Sequence, residues 1–259
     1  MKLCKCPDLF LFGSGNGANN SIAHGRISVG MDAPIGSHPW VASLRLLSST
    51  SEDDQRSVHK CGATILNEFN VLTAAHCLSS FPHSRFRVRV GDWDMKQHDS
   101  HEQEFQIRAV HINPWFGLRT NWDNDIAIIK VKPSGVEDGR PRGIRFNKEK
   151  VVPACLPPKS ARYSKKLNCG VGGFGSTSGG ATPRYMQQAS LPYIPSMTCK
   201  KPHVYGKDKI TDTMFCAGYL EGGIDTCQGD SGSGYVCQEN GVNYVYGITS
   251  WGIGKCMPY

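Results

Sequence analysis

Eleven cysteines spread from Cys4 to Cys256 constrain this 259-residue chain more than any other feature. None are spaced as C-x-x-C, so they read as a disulfide framework laid down in an oxidising compartment rather than as a zinc site. Secretion to the extracellular space is the location this implies. An odd count leaves at least one thiol without a partner inside the chain, so a second chain takes it or sequence is missing. Missing sequence is the expectation taken here. The length suffices for one large β-rich domain or two small ones, each able to bury a core without covalent help.

The formal charge of +7 comes from scattered Lys and Arg, with small clusters at Lys165-Lys166 and Lys200-Lys201. A solvated basic face accounts for them. No aromatics interleave with these clusters as single-stranded nucleic-acid binding requires, so nucleic acid is not an expected partner. No run of about 18 apolar residues exists, so no membrane span is expected. The opening MKLCKCPDLFLFG is a poor signal peptide, because its short apolar stretch follows Pro7 and Asp8.

Residues 1–26 are polar and rich in Gly and Asn, without periodicity, and read as an extended leader. Beyond them, segments of strand character recur: VASLRLL, CGATIL, RFRVRVGDW with Phe86, Val88 and Val90 alternating, DIAIIKV and VNYVYGITSW. Helical periodicity is scarce, and 29 Gly and 15 Pro punctuate the runs, a pattern of antiparallel barrels or sandwiches. The Pro-rich stretch VVPACLPPKSARYSKK reads as a linker over about 151–166, between a first barrel (about 27–150) and a second (about 167–259).

Three segments carry chemistry. VLTAAHC puts His76 beside Cys77, and a bridge from Cys77 to Cys61 would pin the turn that holds the imidazole. In NWDNDIAIIK, Asp125 opens an alternating strand, so its carboxylate can sit inside against His76 while Ile126 and Ile128 pack; Asp123, the competing choice, is expected to be exposed. In DTCQGDSGSG, glycines flank Ser231 closely enough for a sharp turn, letting the Gly229 and Ser231 amides face one oxygen. A hydroxyl nucleophile, an imidazole base, a carboxylate that fixes the imidazole and two amide donors are what acyl transfer by serine needs.

These segments, in the order His, Asp, Ser, make the chain similar to the chymotrypsin-like (trypsin family) serine proteases over roughly Arg26 to Cys256. The resemblance implies an all-β fold of two six-stranded antiparallel barrels with the active site between them. It implies catalytic His76, Asp125 and Ser231, with an oxyanion hole at Gly229 and Ser231. Asp225 matches the base of the primary specificity pocket, where a carboxylate selects Arg or Lys, and Ser250, Trp251 and Gly252 match the segment that pairs with substrate backbone. Cleavage after Arg26 would free an amino terminus at Ile27, whose ammonium Asp230 would receive, so the chain is expected as a zymogen. Disulfides implied in the same way are Cys61–Cys77, Cys169–Cys237, Cys199–Cys216 and Cys227–Cys256, with Cys155 holding the leader through Cys4 or Cys6. Protein or peptide substrates with Arg or Lys at the cleaved bond, an activating protease and protein protease inhibitors are the implied partners. No cofactor is required; a calcium site in the acidic loop Asp92–Glu104 is the less favoured reading beside solvated acids.

The chain departs from the family pattern in places. GDSGSG replaces the usual GDSGGP, Ser28 and Val29 follow Ile27 where Val-Gly-Gly is usual, and Phe174 takes the place of a common tryptophan. The sequence ends at Tyr259, where relatives add a strand, a pocket wall and a surface helix, so a fragment with the last strand and helix missing is expected. The main alternative is a catalytically silent homologue acting as a binding or regulatory partner; an interaction module from a larger mosaic protein is the weaker one.

Overall fold

Strict alternation of apolar and polar side chains decides the first half of the fold. In the computed structural model, which describes residues 31–49, 56–176, 180–223 and 225–253, Phe86, Val88 and Val90 are fully buried while Arg87 and Arg89 between them are only partly so. Successive side chains of a strand point to opposite faces, so this segment can line a core with one face only.

The strands in chain order are β1 (Met31–Asp32), β2 (Val41–Leu47), β3 (Ser57–Asn67), β4 (Asn70–Thr73), β5 (Phe86–Val90), β6 (Gln103–Ile112) and β7 (Ala127–Val131). They continue as β8 (Val136–Glu137), β9 (Arg140–Pro141), β10 (Asn168–Gly173), β11 (Gln187–Ser190), β12 (Tyr193–Ile194), β13 (Cys216–Ala217), β14 (Gly234–Glu239) and β15 (Val242–Ile248). Among the described residues, helix is confined to two 3-10 turns, Ala75–Leu78 and His83–Arg85, and one short α-helix, α1 (Ser196–Cys199). The expected all-β class is what the chain adopts.

β2, β3, β4, β7, β6 and β5 close into a barrel in that order, every pairing antiparallel. Closure leaves no free edge. Leu44, Ile65, Val71, Phe86, Val88, Val90 and Ile129 fill it at 0 % exposure. One sequence expectation fails here. In β7 it is Ala127, Ile129 and Val131 that face the core, whereas Ile126 is 39 % exposed and Ile128 packs outside the barrel against the second core.

The second half is organised differently. β1, β11, β10, β14 and β15 form an open five-stranded sheet, and β12 pairs with β13 alone. Between β15 and that pair lies a cavity of about 1010 Å³, walled in part by Leu191, Ile194, Phe215, Tyr235, Val245 and Tyr246. The barrel expected here is thus unclosed among the described residues.

The stretch 151–166 is bound to both halves. The Ala154 amide donates to the Ile65 carbonyl of the barrel at 2.9 Å, and one residue later the Cys155 amide donates to the Asn243 carbonyl of the sheet at 2.9 Å. Val151 and Ala154 are buried. Cys61–Cys77, Cys169–Cys237 and Cys199–Cys216 are bridged as the resemblance implies. Cys155 and Cys227 are also disulfide-bonded; Cys4, Cys6 and Cys256, the partners that the resemblance implies, lie outside the described residues.

Phe86 is the largest side chain wholly enclosed by the barrel. Phe86→Ala is expected to destabilise the protein by about 3–5 kcal/mol in denaturant unfolding. A loss under about 1 kcal/mol would mean the barrel collapses around the void.

Candidate active site

The 3-10 turn Ala75–Leu78 leaves β4 and presents His76 at the barrel rim, its neighbour Cys77 tied to Cys61 on β3. Closing that 16-residue separation contributes about 3 kcal/mol in the chain-entropy account. It also fixes the turn beneath the imidazole. Asp125 lies 49 residues on and is buried. Its Oδ2 accepts the His76 Nδ1–H at 2.7 Å and its Oδ1 accepts the His76 backbone amide at 2.9 Å. The Ser250 hydroxyl donates to Oδ2 as well. Burial acts to raise the Asp125 carboxyl, but the bonds from His76, then Ser250, outweigh it and hold the group below its ordinary value. A carboxylate kept ionised on Nδ1 leaves Nε2 as the nitrogen able to take a proton.

Ser231 sits in a tight loop clamped from both sides. The Gly62 amide of β3 donates to the Ser231 carbonyl at 2.8 Å, and the Gly232 amide donates to the Thr249 carbonyl at 2.7 Å. Gly232 has φ +86°, and a Cβ there would meet the Gly62 carbonyl oxygen and Thr73 Oγ1 at 2.3 Å. Only glycine fits that spot. Among the described residues the Gly229 and Ser231 amides donate to nothing, and Ser231 Oγ makes no hydrogen bond.

His59, two residues before Cys61, holds the Gly229 peptide. Its Nε2 lies 2.9 Å from the Gly229 carbonyl and its Nδ1 2.8 Å from Ser43 Oγ. A carbonyl only accepts, so Nε2 carries the hydrogen and Nδ1 accepts from Ser43. Burial, the largest influence, lowers the His59 pKa to about 4 despite the Gly229 bond, so the ring is neutral at physiological pH. Nothing in the local sequence marks His59 or Ser43; a histidine two residues before a half-cystine says nothing until the fold brings Gly229 to it. Trp122, also unremarked, meets the His76 ring edge-on at 5.2 Å.

Asp230, next to the nucleophile, is tied down by amides. Gly175 N–H donates to Oδ1 at 3.0 Å and Cys227 N–H to Oδ2 at 2.8 Å. Burial still dominates and pushes its pKa up to about 6. Arg26 and Ile27, the expected activation residues, lie outside the described residues.

Asp225 lines the large cavity together with Ser250, Trp251 and Gly252. Its Oδ1 accepts the Thr226 amide at 2.7 Å, and the surrounding protein raises its pKa while solvent reaches it through the cavity. Trp251 meets Tyr205 edge-on at 5.2 Å on the same wall. Ser250, expected for its backbone, contributes a hydroxyl to Asp125 too.

Two further expectations need correction. Asp123 is not exposed; it is wholly buried, because its carboxylate is enclosed by Arg119, Thr211 and Thr213. In the loop Asp92–Glu104, Asp92 and Glu102 are buried rather than solvated, with both Asp92 oxygens and Glu102 Oε2 lacking hydrogen-bond partners. Arg89 stands among them, 3.7 Å from Asp92, 3.1 Å from Glu102 and 2.9 Å from Glu104. Its guanidinium supplies the positive charge there, so the residues do not fit a calcium ion without displacing it. Among the described residues the one His/Cys/Asp/Glu group tight enough for a metal is Cys61, His76 and Cys77, and its sulfurs are spent in a disulfide.

A barrel and a sheet meeting at a His–Asp pair, beside a serine in a glycine-flanked turn, define the class of serine hydrolases that work between two β-domains. The family described as Trypsin matches residues 27–258, and the chain belongs to it. It is thus a serine protease by family, with protein substrates the family's rule and secretion its usual fate. Among the described residues no helix is long and apolar enough to cross a membrane.

Because the Asp230 pKa is raised above its ordinary 3.8, its contribution to stability is present in full below about pH 4 and lost as pH rises through about 6. In the uncut chain, which has no ammonium at Ile27, Asp230→Asn is expected to raise the melting temperature at pH 7.5 relative to wild type by more than at pH 4. An equal difference at both pH values would show that the Asp230 charge carries no such cost.

Proposed function

We propose that the chain is an extracellular serine endopeptidase cutting after Arg or Lys, made as a zymogen and activated by cleavage after Arg26. The observation that carries this reading is the doubly anchored Asp125–His76 pair, together with a Ser231 loop that β3 clamps through Gly62. Ser231 Oγ attacks the scissile carbonyl as His76 Nε2 takes its proton, and Asp125 stabilises the imidazolium without itself taking the proton. The free amides of Gly229 and Ser231 receive the oxyanion, with His59 holding the Gly229 peptide in place. His76 then returns the proton to the leaving amine, and water repeats the sequence on the acyl-enzyme. Asp225, in the cavity beside Trp251, supplies the charge for a basic side chain, and the Ser250–Gly252 segment offers backbone for a substrate strand.

Activation follows from Asp230. A carboxylate whose ionisation burial opposes, one residue from the nucleophile, gains most from a cation brought to it, and the new Ile27 ammonium is that cation. Val29, where the family has glycine, makes its insertion less favourable than glycine would. The hydrolysis requires no cofactor.

A silent homologue is the second reading. The second half, unclosed among the described residues and with a cavity beside Ser250, Trp251 and Gly252, favours it.

Cutting the chain after Arg26, removing the activating protease and offering Arg- and Phe-amide substrates separates the two. Hydrolysis of the Arg substrate alone is expected, lost by at least about 10³-fold in Ser231→Ala and absent from an Arg26→Gln chain. No hydrolysis by folded, cut protein would favour the homologue, and Arg26→Gln retaining activity would exclude the zymogen.

A further inference from the structure

Asp123 and Asp125 stand two residues apart, yet their carboxylates leave in different directions. Asn124 between them adopts φ +53°, a left-handed conformation that reverses the chain locally. Asp125 faces His76. Asp123 faces Arg119, which approaches Oδ2 through Nε at 2.7 Å and Oδ1 through Nη2 at 3.2 Å. Its Oδ1 also accepts the Thr213 hydroxyl at 2.6 Å and the Thr211 hydroxyl at 2.7 Å. The side chain of Asp123 has no solvent exposure, whereas that of Arg119 is 49 % exposed.

The two threonines belong to the other half of the molecule. They lie between α1 and β13, in the segment that the Cys199–Cys216 bridge closes. The Asn124 amide reaches the same Thr213 hydroxyl at 3.3 Å. Within the loop itself, the Asp123 carbonyl accepts the Gly117 amide at 2.8 Å and its amide donates to Thr120 at 3.0 Å. The loop that carries Asp125 is therefore held to the second half at two points: through Ser250 at Asp125, and through Thr211 and Thr213 at Asp123.

We infer that Asp123 is a positioning residue for the triad, a pin that fixes the loop bearing Asp125 against the half of the molecule that bears Ser231. The inference rests on reading His76 and Asp125 as the base and its orienter. Arg119 keeps the pin ionised and neutralised; the hydrogen bonds to Asp123 hold its carboxyl well below the ordinary range, that from Arg119 contributing most. A hydroxyl donating to a buried carboxylate is directional as well as strong, so the threonines set where the carboxylate sits. Sub-ångström displacement of Asp125 would tilt the His76 ring and spoil its line to Ser231 without altering how substrate is bound.

The test removes the cross-half bonds and leaves the ion pair. Thr211→Val with Thr213→Val is expected to lower kcat roughly tenfold with KM unchanged. Thr211→Ser with Thr213→Ser, which restores both hydroxyls, is expected to return kcat to within about twofold. Arg119→Gln, which removes the ion pair with Asp123 and the 3.9 Å approach to Asp212 but leaves both threonine bonds in place, should cost less than the valine pair. The His76 Nδ1–H proton, bonded to Asp125, gives a second readout by NMR on the full chain, independent of turnover. In the valine pair its downfield resonance should shift or broaden, and in the serine pair it should match wild type. A valine pair that melts lower but keeps wild-type kcat and resonance would overturn the inference. Should the cut wild type hydrolyse nothing, the protease reading fails, and the resonance alone decides the role of Asp123.

Discussion

The hydrogen bond from the Gly62 amide to the Ser231 carbonyl is the contact on which the site depends. It joins β3 of the closed barrel to the loop that presents the nucleophile, and the geometry around it tolerates little change. Gly62 must lack a side chain, since a Cβ there would lie 1.9 Å from Ser233 Oγ, and Gly232 must lack one because Thr73 and the Gly62 carbonyl crowd it. The imidazole and its carboxylate stand on the barrel while the serine stands on the other half. Alignment of the three is therefore a matter of how the halves are joined. Gly62 to Ser231, Ser250 to Asp125, His59 to Gly229 and Thr211 and Thr213 to Asp123 are four such joints, each a hydrogen bond between a barrel element and a second-half loop.

Charge is distributed across this seam by environment. Asp125 and Asp123 are buried carboxylates lowered by donors aimed at them, whereas Asp230 receives amide bonds and still rises, because burial outweighs two neutral donors. That difference separates carboxylates whose donors keep them ionised from one whose ionisation burial opposes. His59 is the complementary case, an imidazole kept neutral so that it can donate to a peptide carbonyl without adding charge beside the nucleophile.

The sequence disclosed this site unevenly. His76 and Ser231 were legible from their surroundings, and the alternation in β5 was a correct guide to the barrel, because each rests on short-range rules of spacing and sterics. Asp125 is the carboxylate that the sequence sets against His76, and the structure brings the two together; Asn124 turns the chain just before it, and Asp123 is buried rather than exposed while Ile126 is turned outward. His59, Ser43, Thr211 and Thr213 were invisible for a different reason. Each acts on a residue far along the chain, 170 positions away for His59 and Gly229, and no local pattern encodes such a contact. The acids of the Asp92–Glu104 loop look solvated in sequence because only the folded loop shows that Asp92, Glu102 and Glu104 all converge on Arg89.

In the proposed function, the seam delivers an activated Ser231 once the chain is cut after Arg26. Reaction of cut and uncut protein with a fluorophosphonate, followed by mass mapping of the modified peptide, tests it most directly, because the reagent reports the nucleophile without needing a substrate to fit the pocket. Modification is expected at Ser231 alone, in the cut form, and abolished by His76→Ala. Folded, cut protein that stays unlabelled, or carries the label on another serine, would contradict it.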